Sequence, residues 1–189
     1  MRELTYFVAC TTDGFIARSD GSFDCFPTSG PHFADLFSLF PETAPTHLRP
    51  SLNIQSENRC FDTVLMGRKT YQVGLDIGID SPYQHLRQYV FSRSLKATPA
   101  DVALVSSDPV AAVRRLKQEP GKNIWLCGGS ELASALLPEI DELILKVNPI
   151  LIGSGIPLFA VPADTRSLDL VSTTAYPNGF LMTRYRVRH

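Results

Sequence analysis

The stretch Asp62-Thr63-Val64-Leu65-Met66-Gly67-Arg68-Lys69-Thr70 decides the fold. An apolar run of strand length ends at a glycine, and a basic, helix-compatible run follows. The same hand-over recurs at Asn123-Ile124-Trp125-Leu126-Cys127-Gly128-Gly129-Ser130. A strand-to-helix joint points free backbone N–H groups and the positive end of a helix dipole at one spot, a setting suited to phosphate. Two such joints in one chain point to a ligand with a long anionic spine, such as a dinucleotide. Each also fits a plainer reading: Gly67-Arg68-Lys69-Thr70 as a turn with two solvated cations, Gly128-Gly129 as a tight turn.

The flanking sequence fits a sheet around these joints. Leu4 to Cys10 is a near-continuous apolar run, predicting a strand buried on both faces. Thr11 to Ala17 reads as a loop with a turn at Asp13-Gly14, and residues 18–31 as an exposed loop. Phe33, Leu36, Phe37 and Phe40 recur at helical spacing between Pro31 and Pro41. Residues 41–59 carry polar side chains and prolines, and predict a surface insertion or lid. Thr63 to Met66 is a strand, and a short helix opens at Thr70 and ends by Gly74. Residues 75–87 read as irregular, Gln88–Ser92 and Val102–Ser106 as strands. Asp108-Pro109 starts a helix with an N-cap acid and proline at its first position; its inner stripe is Val110, Val113 and Leu116. Ile124 to Cys127 is a strand, Ser130 caps a helix through Leu137, and Ile140 to Val147 is a strand. Leu168–Thr174 and Phe180–Val187 close the chain as an antiparallel pair joined by Tyr176-Pro177-Asn178-Gly179. Strands alternating with helices predict an α/β three-layer sandwich with a mostly parallel sheet and an antiparallel C-terminal hairpin.

Composition narrows the function classes. The chain has 189 residues, 44% of them hydrophobic and 20% charged, enough for one domain over residues 1–189. A formal net charge of -1 gives no basic footprint for nucleic acid. No apolar run approaches membrane-span length, and the start Met1-Arg2-Glu3-Leu4 lacks a signal-peptide layout, so a cytoplasmic protein is expected. Cys10, Cys25, Cys60 and Cys127 contain no C-x-x-C pair, and His32, His47, His85 and His189 show no ligand spacing. Free thiols and no metal site are expected.

Four stretches, in order along the chain, resemble the dihydrofolate reductase superfamily. They are Thr12-Asp13-Gly14-Phe15-Ile16-Ala17, Leu65-Met66-Gly67-Arg68-Lys69-Thr70-Tyr71, Cys127-Gly128-Gly129-Ser130 with Leu132, and Ile140-Asp141-Glu142-Leu143 through Pro149, Gly153, Gly155, Pro157, Leu158 and Phe159. The branch most resembled is the reductase domain of the bifunctional riboflavin-biosynthesis deaminase/reductase, with stand-alone proteins of that kind. The resemblance implies NADPH as cofactor and reduction of a flat nitrogen heterocycle of pyrimidine or pterin type.

What it implies for residues is specific. Gly67 to Thr70 resembles the family's turn for the cofactor pyrophosphate, with Arg68 facing the 2′-phosphate as a planar bidentate donor. Ser92 and Arg93 match a strand end beside adenosine. Gly128 and Gly129 match the family's glycine pair, joined by a cis peptide, and Ser130 and Leu132 follow it. Ala9 and Ile16 match positions flanking the nicotinamide.

On the substrate side, Asp13 resembles the aspartate of the riboflavin reductases' Asp-Gly pair and is a candidate acid or relay. It equally reads as the first residue of a turn. Asp35 resembles the carboxylate on the substrate-gripping helix of dihydrofolate reductases, and also reads as a solvated helix acid. Lys146 falls on a strand end lining the family's active site, where a cation holds a substrate phosphate or carbonyl; a surface lysine is the plain reading.

The resemblance has departures. Cys127 stands where riboflavin reductases commonly have glutamate, and Phe15 where they commonly have a basic residue. The zinc signature of the deaminase half is absent, which excludes deamination. Dihydrofolate reductases usually carry tryptophan in the mobile loop, whereas Trp125 lies in a strand. Members of this branch often pair as dimers, and the apolar tail permits it. Two rival readings keep the fold: a non-catalytic nucleotide-binding module or sensor, and a flavin-linked reductase.

Overall fold

Apolar runs that read as doubly buried strands pair edge to edge in the computed structural model, which describes residues 1–160 and 165–189. In chain order the elements are β1 (Leu4–Thr11), β2 (Phe15–Ala17), α1 (His32–Leu39), β3 (Phe61–Gly67), α2 (Arg68–Asp76), β4 (Arg87–Phe91), β5 (Val102–Val105), α3 (Pro109–Gln118), β6 (Asn123–Gly128), α4 (Ser130–Ala135), β7 (Glu142–Asn148), β8 (Ile156–Pro157), β9 (Leu168–Ala175) and β10 (Leu181–Val187). The main sheet runs β5-β4-β3-β6-β1-β7-β10-β9. Its first six strands are parallel; β10 is antiparallel to both β7 and β9.

The period-2 alternation of β1 sorts its side chains onto two cores. Leu4, Tyr6 and Val8 pack with Val113 and Leu116 of α3 and Leu132, Ala133 and Leu136 on the α4 side. Phe7 faces the other way, against Leu36, Phe40, Phe61, Trp125, Ile144 and Tyr71 of α2. A sheet with helices on both faces is the predicted three-layer sandwich. The α3 start is as read: Asp108 Oδ1 accepts from Val110 N at 2.9 Å and Ala111 N at 3.1 Å.

Local expectations needed correction in four places. Residues 15–17 are not loop but β2, paired with β8. Helix α2 begins at Arg68 and continues to Asp76, past Gly74. Gly74 is required by the chain's return: a Cβ there would meet the Ile79 carbonyl oxygen at 2.7 Å. Gly129, not Ser130, is the N-cap of α4, and that helix gives way at Leu136 to a 3-10 turn over Leu137–Glu139.

The fourth concerns the stretch predicted as a surface insertion. Its first residues, Pro41 to Ala44, are buried. Glu42 is fully buried, and its carboxylate accepts from the backbone N–H groups of Arg59 (3.1 Å), Cys60 (2.7 Å) and Phe61 (2.7 Å). A buried carboxylate is tolerated when backbone donors satisfy it. The polar composition that reads as surface is here an internal bracket, tying the end of α1 to the start of β3. From His47 to Arg59 the stretch is mostly exposed, as expected for a surface insertion.

Candidate functional site

The two glycine joints converge. Strands β3 and β6 are neighbours, with Met66 in register with Gly128. A Cβ built on Gly67 would lie 3.3 Å from Gly129 N and 3.6 Å from the Leu132 Cβ. One on Gly129 would lie 3.4 Å from the Thr70 hydroxyl. The Gly128–Gly129 bond is cis, and Gly128 has φ +131°, a conformation side-chain-bearing residues rarely adopt. Gly67 is the N-cap of α2, so the free N–H groups of a nine-residue helix open beside the glycine pair.

Two buried polar atoms in this region have no partner: Arg68 Nη1 and Ser130 Oγ. Unsatisfied buried donors are rare and ask for a ligand or a role. They belong to the first residues of α2 and α4. The donor set, backbone amides with a guanidinium and a hydroxyl, suits phosphate. Ser92 is buried at the end of β4, alongside Gly67's strand, and its hydroxyl accepts from Ser94 N and Leu95 N. Arg93 is exposed beside it. Lys69 points to solvent and approaches Glu131 at 3.6 Å, a pair of exposed charges of little energetic weight.

The substrate-side residues lie at the same end of the sheet. Ala9 of β1 is in register with Lys146 of β7, one strand beyond β6 and its glycines. Ligands in open α/β sheets bind outside the carboxyl ends of parallel strands, where these residues sit. The Lys146 Nζ lies 4.5 Å from the Phe7 ring centroid. Among the described residues no carboxylate comes within salt-bridge distance of it. Burial lowers its pKa to about 8, against a small upward pull from Cys127 and Cys10. Burial pushes both thiols up to about 11, so neither is an anion that could neutralise the ammonium at pH 7. The Tyr83 phenol, which hydrogen-bonds Cys127, is likewise held protonated by burial.

Asp13 and Asp35 have partners of their own. The Asp13 carboxylate accepts from Thr11 Oγ1 (2.6 Å), Gly153 N (2.8 Å) and Ile152 N (3.1 Å). The Thr11 hydroxyl, then the Gly153 and Ile152 amides, hold it below the ordinary carboxylate range. That arrangement fastens the β1–β2 loop to the segment before β8, and it favours the ionised form over a proton donor. Asp35 is exposed on α1; burial first, and then the nearby Asp35 carboxylate, raise the pKa of the Tyr176 phenol. Ile16, in β2, packs on the α3/α4 side of the core.

Sequence reasoning passed over His32. It opens α1, is buried, and its ring stacks on Phe180 with centroids 3.8 Å apart. Burial, then the charge of Lys146, lower its pKa. The stacking partner is 148 positions away in sequence, so no local signal could have announced it.

Comparison with known proteins agrees with this geometry. The uncharacterized protein YwjB of Bacillus subtilis (strain 168) is 33% identical over 178 residues, covering 93% of this chain and 92% of its own. A pyrimidine reductase-like protein from Corynebacterium diphtheriae superposes with TM-score 0.66 at 18% identity, over 100% of this chain and 92% of its own. Dihydrofolate reductase from Enterococcus faecalis, complexed with NADP(H), gives TM-score 0.66 at 16% identity over 99% and 97% of the two chains. At those identities the structures establish a shared dihydrofolate reductase-like fold. No described helix is long and apolar enough to cross a membrane, and the described residues hold no metal-ligating cluster. The model of the RibD C-terminal domain matches residues 2–182, nearly the whole length over which the converging glycine turns and the Lys146 strand are laid out, and the chain belongs to that family.

Proposed function

We propose that the protein is an NADPH-dependent reductase of a small, flat nitrogen heterocycle of pyrimidine or pterin type. The observation that carries this reading is the convergence of Gly67 and Gly128–Gly129, with Arg68 Nη1 and Ser130 Oγ unpartnered at the helix starts that follow. In this reading Gly67, Thr70, Gly128 and Gly129 cradle the diphosphate. Arg68 and Arg93 meet the adenosine phosphate, and Ser92 borders the adenosine. Leu132 backs the cradle, Lys69 adds long-range positive charge, and Ala9 and Ile16 leave room for the nicotinamide. The bound cofactor supplies a hydride.

The remaining requirement is a proton, and we assign it to Lys146. With its pKa lowered to about 8 it is still mainly charged at pH 7 and is a far better acid than an ordinary lysine. No carboxylate among the described residues competes for its N–H donors. It orients a ring carbonyl or imine nitrogen by hydrogen bond and transfers one proton there as the adjacent carbon gains hydride. Solvent then restores the ammonium. Asp13 acts as a positioning residue for the loop over the ring, and Asp35 stays outside the chemistry.

We also propose a homodimer formed through β9. This edge strand is exposed along its whole length and carries Leu168, Leu170 and Val171 in the open. Light scattering should give twice the mass of the chain.

The functional test is NADPH oxidation at 340 nm with pterins, dihydropterins and aminopyrimidinones. Turnover above the cofactor-only rate supports the reading. Tight NADPH binding with no turnover on any ring would favour the non-catalytic module, and a yellow purified protein would favour a flavin-linked reductase.

A further inference from the structure

The sheet face that carries α1 is only partly covered. Past the end of that helix, at Leu39 and Phe40, a cleft of about 550 Å³ opens over β7, β10 and β9. Its floor is buried: Thr5, Phe40, Phe61, Glu142 and Ile144, with half-buried Met182 beside them. Phe61, Asn123 and Glu142 are the first residues of β3, β6 and β7. The cleft therefore lies at the amino ends of the parallel strands, the opposite end of the sheet from the glycine turns. Its size is that of a small-molecule site.

The charges around it do not balance. Glu142 is the only carboxylate in the lining, and it accepts from Arg184 Nε at 2.6 Å and from the Thr5 hydroxyl at 3.3 Å. That pair uses one donor of a planar guanidinium. The Nη1 and Nη2 groups of Arg184 have no partner among the described residues. Arg59 and Lys122 also line the cleft, and neither forms an ion pair among the described residues. Burial first, and then Glu42, raise the pKa of the Cys60 thiol in the same wall, while Arg184 and Lys122 pull it down. Three cations thus surround one carboxylate that is already paired. A second carboxylate would meet the open fork of Arg184, which suits two parallel N–H bonds. An aromatic body attached to it would lie against Phe40, Phe61, Ile144 and Met182.

We propose that this cleft is a second binding site, for a small aromatic carboxylate, separate from the reductase site. Arg184 holds the carboxylate, Arg59 and Lys122 add positive charge at the rim, and the phenylalanines, Ile144 and Met182 hold the ring. The β9 residues in the lining, Ser172 and Thr174, are in register with Arg184 and Met182. Leu168 and Leu170 are in register with Val187 and Tyr185, which pack on the α3/α4 side. The apolar residues of the proposed dimer edge therefore belong to the other face of the sheet and leave the cleft free.

The test titrates the full chain by calorimetry with naphthoate, naphthylmethanol and naphthylmethylamine, each with and without excess NADP⁺. Naphthoate should bind about tenfold or more tightly than the alcohol, through its charge-assisted bonds, and the amine should bind most weakly. NADP⁺ should not displace it. Arg184→Lys keeps a cation beside Glu142 but removes the planar fork, and should weaken naphthoate about fivefold. Arg59→Glu, at an exposed position, should weaken it about threefold. Thr174→Trp, also exposed, fills the cleft and should abolish naphthoate binding with the melting temperature unchanged. Lys146→Met should bind naphthoate as the wild type does. Equal affinity for the three probes, no binding of any, displacement by NADP⁺, loss of binding in Lys146→Met, or full binding by Thr174→Trp overturns the proposal.

Discussion

The two halves of the site are built differently. The proposed cofactor half is mainly backbone: the ends of β3 and β6, the glycines that follow them and the first turn of α2, with Arg68 the chief side chain. The proposed substrate half consists of side chains from remote segments, Lys146 on β7 beside the Phe7 ring of β1. A backbone cradle recognises what all its ligands share, a diphosphate. A side-chain chamber can be rebuilt while the sheet stays fixed, which is how one fold serves many substrates.

The sharpest way to break this contrast is Lys146→Met. The account expects kcat to fall about 10²–10⁴-fold, the usual weight of a positioned acid, with NADPH affinity unchanged. In the wild type kcat should decline above pH ~8 as Lys146 loses its proton, and the variant should lack that limb. Stability provides a second reading with a definite sign. Burial holds the folded-state pKa at about 8, below the unfolded value. Between the two the unfolded chain binds more protons, so this group adds stability as pH rises through that window. The variant's stability advantage should therefore be largest near pH 7 and shrink toward pH 10, measured by denaturant unfolding.

Gly67→Leu attacks the other half. Its side chain would press on Gly129 N and Leu132, filling the space between the two turns. Calorimetry should show NADPH affinity down about 100-fold, or roughly 2.7 kcal/mol, with the far-UV spectrum retained. A loss of kcat with NADPH binding intact would mean the two halves are wrongly divided.

Arg68→Leu sharpens the division within the cofactor half. A charge-assisted hydrogen bond is worth about 1.5–3 kcal/mol, so NADPH should bind some ten- to a hundredfold more weakly and NADH hardly differently. Equal losses for both would place the guanidinium on the shared diphosphate. The smallest effect is expected from Asp13→Asn. As a loop fastener bonded to Thr11, Ile152 and Gly153, it should lower kcat less than about tenfold, against the 10²-fold or more of an acid. A drop matching Lys146→Met would return the proton to Asp13.

The same contrast explains what could be read from the chain alone. The glycine joints were legible because strand, glycine and helix start are contiguous in sequence, and the parallel sheet followed from their repetition. Lys146 was legible as a strand-end cation, but not its isolation, because that depends on which carboxylates other strands bring near. Glu42 misled: its polar setting predicts surface, and the three amides that make burial tolerable begin 17 residues later. Asp13 was found for its place in an Asp-Gly turn, but its partners at Ile152 and Gly153 arrive from the far end of the chain.

The most direct measurement is calorimetric titration of the protein with NADPH, followed by thermal unfolding. If Gly67 and Gly128–Gly129 together grip one diphosphate, heat will be released with a stoichiometry of one per chain. Saturation at a hundred times Kd will then stabilise the fold by about 2.7 kcal/mol. A flat titration with an unmoved melting temperature would contradict the account at its base.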